Sequence, residues 1–227
     1  MSQVFLITLI FALVLPAIAR ASGAPDRFDL VEGDGLTVTG PVELRLSHGA
    51  ESHVEVVSGD WQVTRNGSEV QLEALAPTLV TIEASCLDKI VMEDGQLFIK
   101  VVGDQRLYLP EVSAPEIRLQ LLGQARFDAD NVAANHLLVA LSEQGKASLN
   151  QVEAELLELD MTDHGDFNVA GSAKRQQLEL SGYSHYDGAD LDSEDVTVAL
   201  TDYSAGFIKA KNSPVVSRSP YTSLSAL

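Results

Sequence analysis

The chain has one cysteine, Cys86, and one tryptophan, Trp61. A single cysteine excludes an intrachain disulfide framework and any zinc site built on paired cysteines. Cys86 sits in the alternating stretch Ile82-Glu-Ala-Ser-Cys86-Leu87, where a buried, inert thiol is expected. Basic residues are scarce: 15 Lys and Arg stand against 33 Asp and Glu, a formal charge of −18. That balance excludes nucleic acid as a partner, because gripping a phosphate backbone takes clustered Lys and Arg. It also excludes an electrostatic hold on anionic lipid. Glycine, at 16 residues, is too sparse for a collagen-like chain. What is present is apolar: 45% hydrophobic residues in 227 support a substantial core and argue against global disorder.

There is one long uncharged run, Val4 to Ala19, sixteen residues. A bilayer-spanning helix needs about 20 apolar residues, so the run suits the core of a secretory signal peptide better than an anchor. Pro16 breaks it near its end, and small residues mark two cleavage sites, Ala17-Ile-Ala19 and Ala19-Arg-Ala21. The segment Met1-Ser2-Gln3 supplies only the amino terminus as positive charge; an uncleaved anchor is the alternative. Residues 1–21 are thus expected to be removed, leaving no transmembrane anchor. The mature protein would be exported: periplasmic, outer-membrane-associated or extracellular.

Beyond the signal the pattern has a period of two. Short alternating pieces (Leu36 to Thr39, Val42 to Leu46, Trp61 to Thr64, Val70 to Glu73, Leu79 to Ile82, Leu97 to Val101) are divided by turn pairs such as Asn66-Gly67 and Asp94-Gly95. This is an all-β signature, with Asn66-Gly67 marking a hairpin. The run from Gln151 to Leu159 holds good helix formers, but a repeat explains it better. Leu119-Gln-Leu121, Leu138-Val-Ala140, Leu157-Glu-Leu159, Leu178-Glu-Leu180 and Val198-Ala-Leu200 begin 19, 19, 21 and 20 residues apart. A period near twenty with two or three short strands per copy points to a solenoid. In a parallel β-helix with rungs of 19–21 residues, Leu121, Ala140, Leu159, Leu180 and Leu200 would stack in one column. Phe127, Phe167, Tyr186 and Phe207 would lie in or near another, and Val132, Val152, Ala170, Leu191 and Ala210 form a third element.

The segment Leu178-Glu-Leu-Ser-Gly182-Tyr-Ser-His-Tyr-Asp187, followed by Ala189-Asp-Leu191 and Val196-Thr-Val-Ala-Leu200, resembles the head GIN domain family. These are bacterial exported proteins described as auto-transporter adhesins, with repeats of the form Ser-Gly-x-Gly-Asp between short strands. Gly40-Pro41-Val42-Glu-Leu44 and Asp94-Gly95-Gln-Leu97-Phe-Ile99 resemble the family's front end. Only Ser181-Gly182 and His164-Gly165-Asp166 keep the repeat motif. The resemblance implies a right-handed parallel β-helix over residues 28–211, and no catalytic residues. Residues 212–227, rich in Ser and Pro, form a cap or tail.

Candidate sites are few. Asp187, Asp190, Asp192 and Glu194 make an oxygen-rich stretch that could suit calcium, without the spacing of a twelve-residue calcium loop. His164 and His185, with Asp163, Asp166 and Asp187, could gather on one edge; His48 and His53 share a turn region. The pairs Asp128/Asp130 and Asp190/Asp192 could act as acid and base in a polysaccharide-processing β-helix enzyme. Trp61, Tyr183, Tyr186 and Tyr203 could bind a glycan if exposed on one face. The expected function is an exported, non-catalytic, adhesin-like binding module whose partner is an envelope glycan or surface protein, with no cofactor. The alternatives are that enzyme or a structural envelope protein without a dedicated ligand.

Overall fold

The computed structural model describes residues 26–31, 33–48, 52–59, 61–84 and 87–227; the expected signal segment and Cys86 lie outside them. The described residues form seventeen strands and no helix. Nine short strands lead: β1 (Asp26–Asp29), β2 (Asp34–Thr39), β3 (Val42–His48), β4 (His53–Ser58), β5 (Trp61–Asn66), β6 (Glu69–Ala74), β7 (Thr78–Ala84), β8 (Leu87–Met92) and β9 (Gln96–Gly103). Five long ones follow: β10 (Arg106–Gly123), β11 (Arg126–Leu141), β12 (Lys146–Met161), β13 (Asp166–Leu180) and β14 (His185–Leu200). Three short strands end the chain: β15 (Ala205–Ala210), β16 (Val215–Arg218) and β17 (Ser223–Ala226).

Each long strand is one rung of a parallel β-solenoid. In β10 the ladder to β11 is interrupted at Pro110 and Pro115, which divide the rung into a first face (106–109), a second (111–114) and a third (116–123). Proline suits these corners because it has no N–H to offer the ladder. Parallel registers then stack β10 on β11, β12, β13 and β14. The alternation read from the sequence becomes apolar columns. Leu119, Val139, Leu159, Leu178 and Val198 form one; Leu121, Leu141, Met161, Leu180 and Leu200 form the next. All ten are buried. Each such side chain contributes about 1.5–3 kcal/mol when fully withdrawn from water.

These registers correct three expected columns. Ala140 points outward, and Leu159 belongs one column over from Leu121. The doublets Leu137-Leu138 and Leu156-Leu157 satisfy either parity, and only the ladder chooses. Equivalent positions are Ile117, Leu137, Leu157, Gln176 and Val196, so the spacing is 20, 20, 19 and 20. The short rung is taken up by a register shift between Leu149 and Val152, beside Gln151 at φ 44. Phe207 faces Asp187 in register and is 40% exposed; Ile208 takes the inward place. Gly171, not Ala170, continues Val132, Val152 and Leu191. Ala210 pairs with Ser193 in a separate column of Ala114, Ala134, Ala154 and Ala173.

Packing alternates in size. Phe127 stacks on Ala147, and Ala147 on Phe167, while the neighbouring column runs Ala129, Leu149. At these two rungs Phe127 sits beside Ala129 and Ala147 beside Leu149, so large and small side chains share the interior. The core contains a polar cluster. The Tyr186 hydroxyl donates to Gln176 Oε1 at 2.6 Å, and Gln176 Nε2 donates to Ser193 Oγ at 2.6 Å. All three residues are buried, and burial raises the Tyr186 phenol far above its ordinary range.

The amino-terminal rungs are out of sequence order. β2 and β3 pair on one side with β6 and β7, and on the other with β8 and β9. The chain lays down β2–β3, runs outward through β4 and the β5–β6 hairpin, and returns to the opposite side. The hairpin turn at Asn66-Gly67 is as expected, with Gly67 at φ 64. The detour is pinned by Asp34, which is fully buried. Arg65 Nη1 donates to its Oδ1 at 2.9 Å and Nη2 to its Oδ2 at 2.8 Å. The Val31 amide donates to the same Oδ2 at 2.8 Å. The guanidinium also reaches the Asp29 carbonyl at 3.0 Å and lies 5.1 Å from the centroid of Phe28.

Residues 212–227 add to the ladder. β16 pairs with the third face of β14, and β17 pairs with β15. Among the described residues these two strands are paired on one side only, and Val215 and Leu227 are exposed.

Candidate functional site

The turns between the third face of one rung and the first face of the next share a pattern. They read Ser142-Glu-Gln-Gly145, Thr162-Asp-His-Gly165, Ser181-Gly-Tyr-Ser184, Thr201-Asp-Tyr-Ser204 and Ser219-Pro-Tyr-Thr222. The second position turns left-handed in four of them, at Glu143 (φ 61), Asp163 (φ 61), Gly182 (φ 71) and Asp202 (φ 59). The third position then points outward, and successive turns are bonded through it: His164 N to Glu143 O at 2.7 Å and Tyr203 N to Gly182 O at 2.9 Å.

The result is a row of stacked rings along one edge. His164 and Tyr183 have centroids 5.2 Å apart and planes 19° apart; Tyr183 and Tyr203 lie at 5.0 Å and 5°; Tyr203 and Tyr221 at 5.3 Å and 26°. The spacing is that of the rungs, about 4.7–4.9 Å. Tyr183, Tyr203 and Tyr221 are 61%, 53% and 71% exposed. Asp163 and Asp202 direct a carboxylate oxygen back to the amide of the preceding turn, at Glu143 (3.4 Å) and Gly182 (3.2 Å). Because the rings cover one another's faces, the row presents ring edges and phenol hydroxyls outward.

The structure therefore brings Tyr183 and Tyr203 together and separates Tyr186 from them. Tyr186 starts a first-face strand at an inward position, over Phe167 at 5.9 Å, and is core. Trp61 is also buried, in the hairpin. Tyr221 and His164 belong to the row although the sequence reading did not place them there; the shared turn pattern was the signal. His164 does not meet His185. It occupies the turn position of Tyr183, while His185 is in register with Asp166 and packs edge-on to Phe207 at 5.8 Å. His53, at the amino-terminal end, is buried.

The acidic stretch does not converge. Asp187 Oδ1 accepts from the Ala189 amide, Asp192 pairs with Lys209 Nζ at 2.7 Å, and Glu194 with Lys211 Nζ at 3.6 Å. Asp190 is in register with Ala170. Strand alternation and corner position spread these carboxylates along the chain, and cations one rung away take two of them. Among the described residues no group of three or more His, Cys, Asp or Glu could hold a metal ion. The acid–base pairs fare no better. Hydrogen bonding to Lys209 holds the Asp192 carboxyl below its usual range, opposite to a general acid's need. Asp130 accepts from the Tyr108 hydroxyl, which raises that phenol, and from Asn150 Nδ2 at 3.3 Å. Shallow concavities also mark the surface. One runs along the corner beside Ala134, Ala154 and Ala173, bounded by the Lys174–Glu155 ion pair. Another lies on the third face between Phe98, Arg118 and Leu138.

A parallel β-solenoid with stacked turn residues is the class of protein this geometry defines. The family model described as "Putative auto-transporter adhesin, head GIN domain" matches residues 64–213, and the chain belongs to that family. Among curated proteins, none matches. A solved structure shares the fold. A "putative adhesin" from Parabacteroides distasonis is 11% identical and covers 90% of this chain and 96% of its own, with a TM-score of 0.54. One from Parabacteroides merdae is 8% identical, covers 90% and 95%, and has a TM-score of 0.47.

Proposed function

We propose that the chain is an exported, non-catalytic binding module of adhesin type, and that it binds through the tyrosine row. The observation that carries this reading is the set of three neighbouring exposed tyrosines held in register by the ladder. Exposed tyrosine offers a large, amphipathic contact that loses little conformational freedom on binding. The family description supports surface exposure and adhesion. The carboxylates of Asp192, paired with Lys209, and of Asp130, accepting from Tyr108, are each tied to a partner, which supports a non-catalytic role. The partner is an envelope or surface glycan met by hydroxyls and ring edges. Sugars lying flat on a ring face are disfavoured along the row, because each inner face is already covered.

The test is a glycan array probed with the full chain and with Tyr203→Ala, with and without calcium. Binding by the wild type that falls to background in the variant supports the reading. Equal binding by both proteins, or binding by neither, overturns it. A calcium requirement would revive the acidic stretch as a ligand set. Export is tested by amino-terminal sequencing of the secreted protein, which should begin between Arg20 and Ser22; retention of Met1 overturns cleavage.

A further inference from the structure

The tyrosine row also has a covalent chemistry open to it. Of five tyrosines in the chain, three stand in this row. Tyr186 is sealed in the core, and Tyr108 stands on the first face with its hydroxyl given to Asp130. We propose that Tyr183, Tyr203 and Tyr221 are a site of oxidative cross-linking, where a one-electron oxidant joins neighbouring turns through a dityrosine bond.

The geometry supplies what the reaction needs. The rings of adjacent turns are 5.0 and 5.3 Å apart, near parallel, and open to solvent. Each phenol gives up one electron and one proton to become a phenoxyl radical. Two radicals join by a bond between ring carbons ortho to oxygen. The hydrogens on those carbons move to the oxygens and both rings regain aromaticity. The pair has lost two electrons and two protons; a peroxidase passes them to hydrogen peroxide, which leaves as two waters. Ladder hydrogen bonds through the turns keep the two partners adjacent, so coupling within one molecule competes well against coupling between molecules.

The position gives the bond a purpose. Tyr221 lies between β16 and β17, the last strands, which are paired on one side only among the described residues. An end strand of this kind opens first. A bond from Tyr203 to Tyr221 would fasten it to the rung beneath, and one from Tyr183 to Tyr203 would fasten that rung in turn. A cross-link also restricts the unfolded chain, as a disulfide does. The lone Cys86 cannot make an intrachain disulfide.

The experiment treats the dilute full chain with peroxidase and hydrogen peroxide. The expected result is dityrosine fluorescence on monomer, a mass loss of two hydrogens per bond, and linked peptides pairing Tyr183 with Tyr203 or Tyr203 with Tyr221. Tyr203→Phe, a conservative change at an exposed site, should abolish both linkages, while Tyr108→Phe leaves them intact. Amide exchange across 215–227 should slow after oxidation in the wild type and not in Tyr203→Phe. Absence of intramolecular dityrosine, coupling dominated by Tyr108 between molecules, or undiminished yield in Tyr203→Phe would overturn the proposal. None of these readouts depends on glycan binding, so the two readings fail separately.

Discussion

Arg65 holds Asp34 with both ends of its guanidinium, 31 residues away in sequence, and the carboxylate so held is fully buried. Such a pair is stable only while both members are present. Arg65→Ala leaves a charged carboxylate without its partner in the interior. Asp34 is buried but the Arg65 side chain is 31% exposed, so the loss should fall below that of a fully buried pair, at about 1–3 kcal/mol. Lysine at the same place can satisfy only one end of the fork and should recover part of the loss. Urea unfolding of both variants checks the order; an alanine variant as stable as wild type would show that the pin is dispensable.

The core cluster makes a coupling prediction. Gln176 occupies the column of Ile117, Leu137 and Leu157, so Gln176→Leu restores the apolar pattern but orphans the Tyr186 and Ser193 hydroxyls. A loss of about 1–3 kcal/mol is expected, typical of an unsatisfied buried polar group. Tyr186→Phe removes one orphan, so the double variant should be more stable than the sum of single effects implies. Additivity in this cycle would contradict the network.

Left-handed turn positions separate two kinds of residue. Glu143 adopts φ 61 with a side chain that makes this conformation unfavourable. Glu143→Gly should be neutral or stabilising, by up to about 1 kcal/mol. Gly182→Ala is the opposite case. Its Cβ would fall 2.5 Å from the Asp163 carbonyl oxygen and 2.7 Å from its Cα, contacts that backbone cannot relieve cheaply. The denaturation midpoint should fall markedly, and the ring spacing in the row should widen with it. Circular dichroism melts of the two variants should move in opposite directions, or the glutamate's should stay still.

A pH prediction follows from Asp192 and Lys209. Hydrogen bonding and charge from Lys209 lower the Asp192 carboxyl and raise the lysine. A carboxylate lowered in the folded state adds stability above its unfolded pKa, and that contribution disappears as pH falls through its folded value. Both groups are exposed, so the effect on stability is small. The titration itself is the better readout: Lys209→Ala should move the Asp192 carboxyl midpoint upward, as seen by carbon NMR. An unmoved midpoint would dissolve the pair.

Much of the fold was legible because strands and repeats write themselves as parity and period. The alternation of Val42 to Leu46 or Leu97 to Val101 leaves one reading, and both are strands as expected. Parity failed where doubled leucines satisfied two phases, at Leu137-Leu138 and Leu156-Leu157. The aromatic column was legible in Phe127, Phe167 and Tyr186, but not Ala147, which stands between the first two, nor the outward turn of Phe207. The amino-terminal detour could not be read at all, since strands β2, β6 and β8 look alike and their order is set by long-range pairing. At the candidate site, Tyr183 and Tyr203 differ from Tyr186 by their place in a turn, twenty residues apart. Comparing turns rather than strands would have found Tyr221 as well.

That detour also decides when the molecule can begin to close. From β10 onward each rung can dock on the one made before it, so growth can keep pace with a chain emerging from its amino terminus. The β2–β3 rung cannot be completed this way. One of its flanks waits for β6 and β7, and the other for β8 and β9, so its core stays open until about Val101 has appeared. The β2–β3 segment is thus held in waiting for its later neighbours, and a truncated product ending before β8 would expose Leu36, Leu44 and Leu46 along a bare edge.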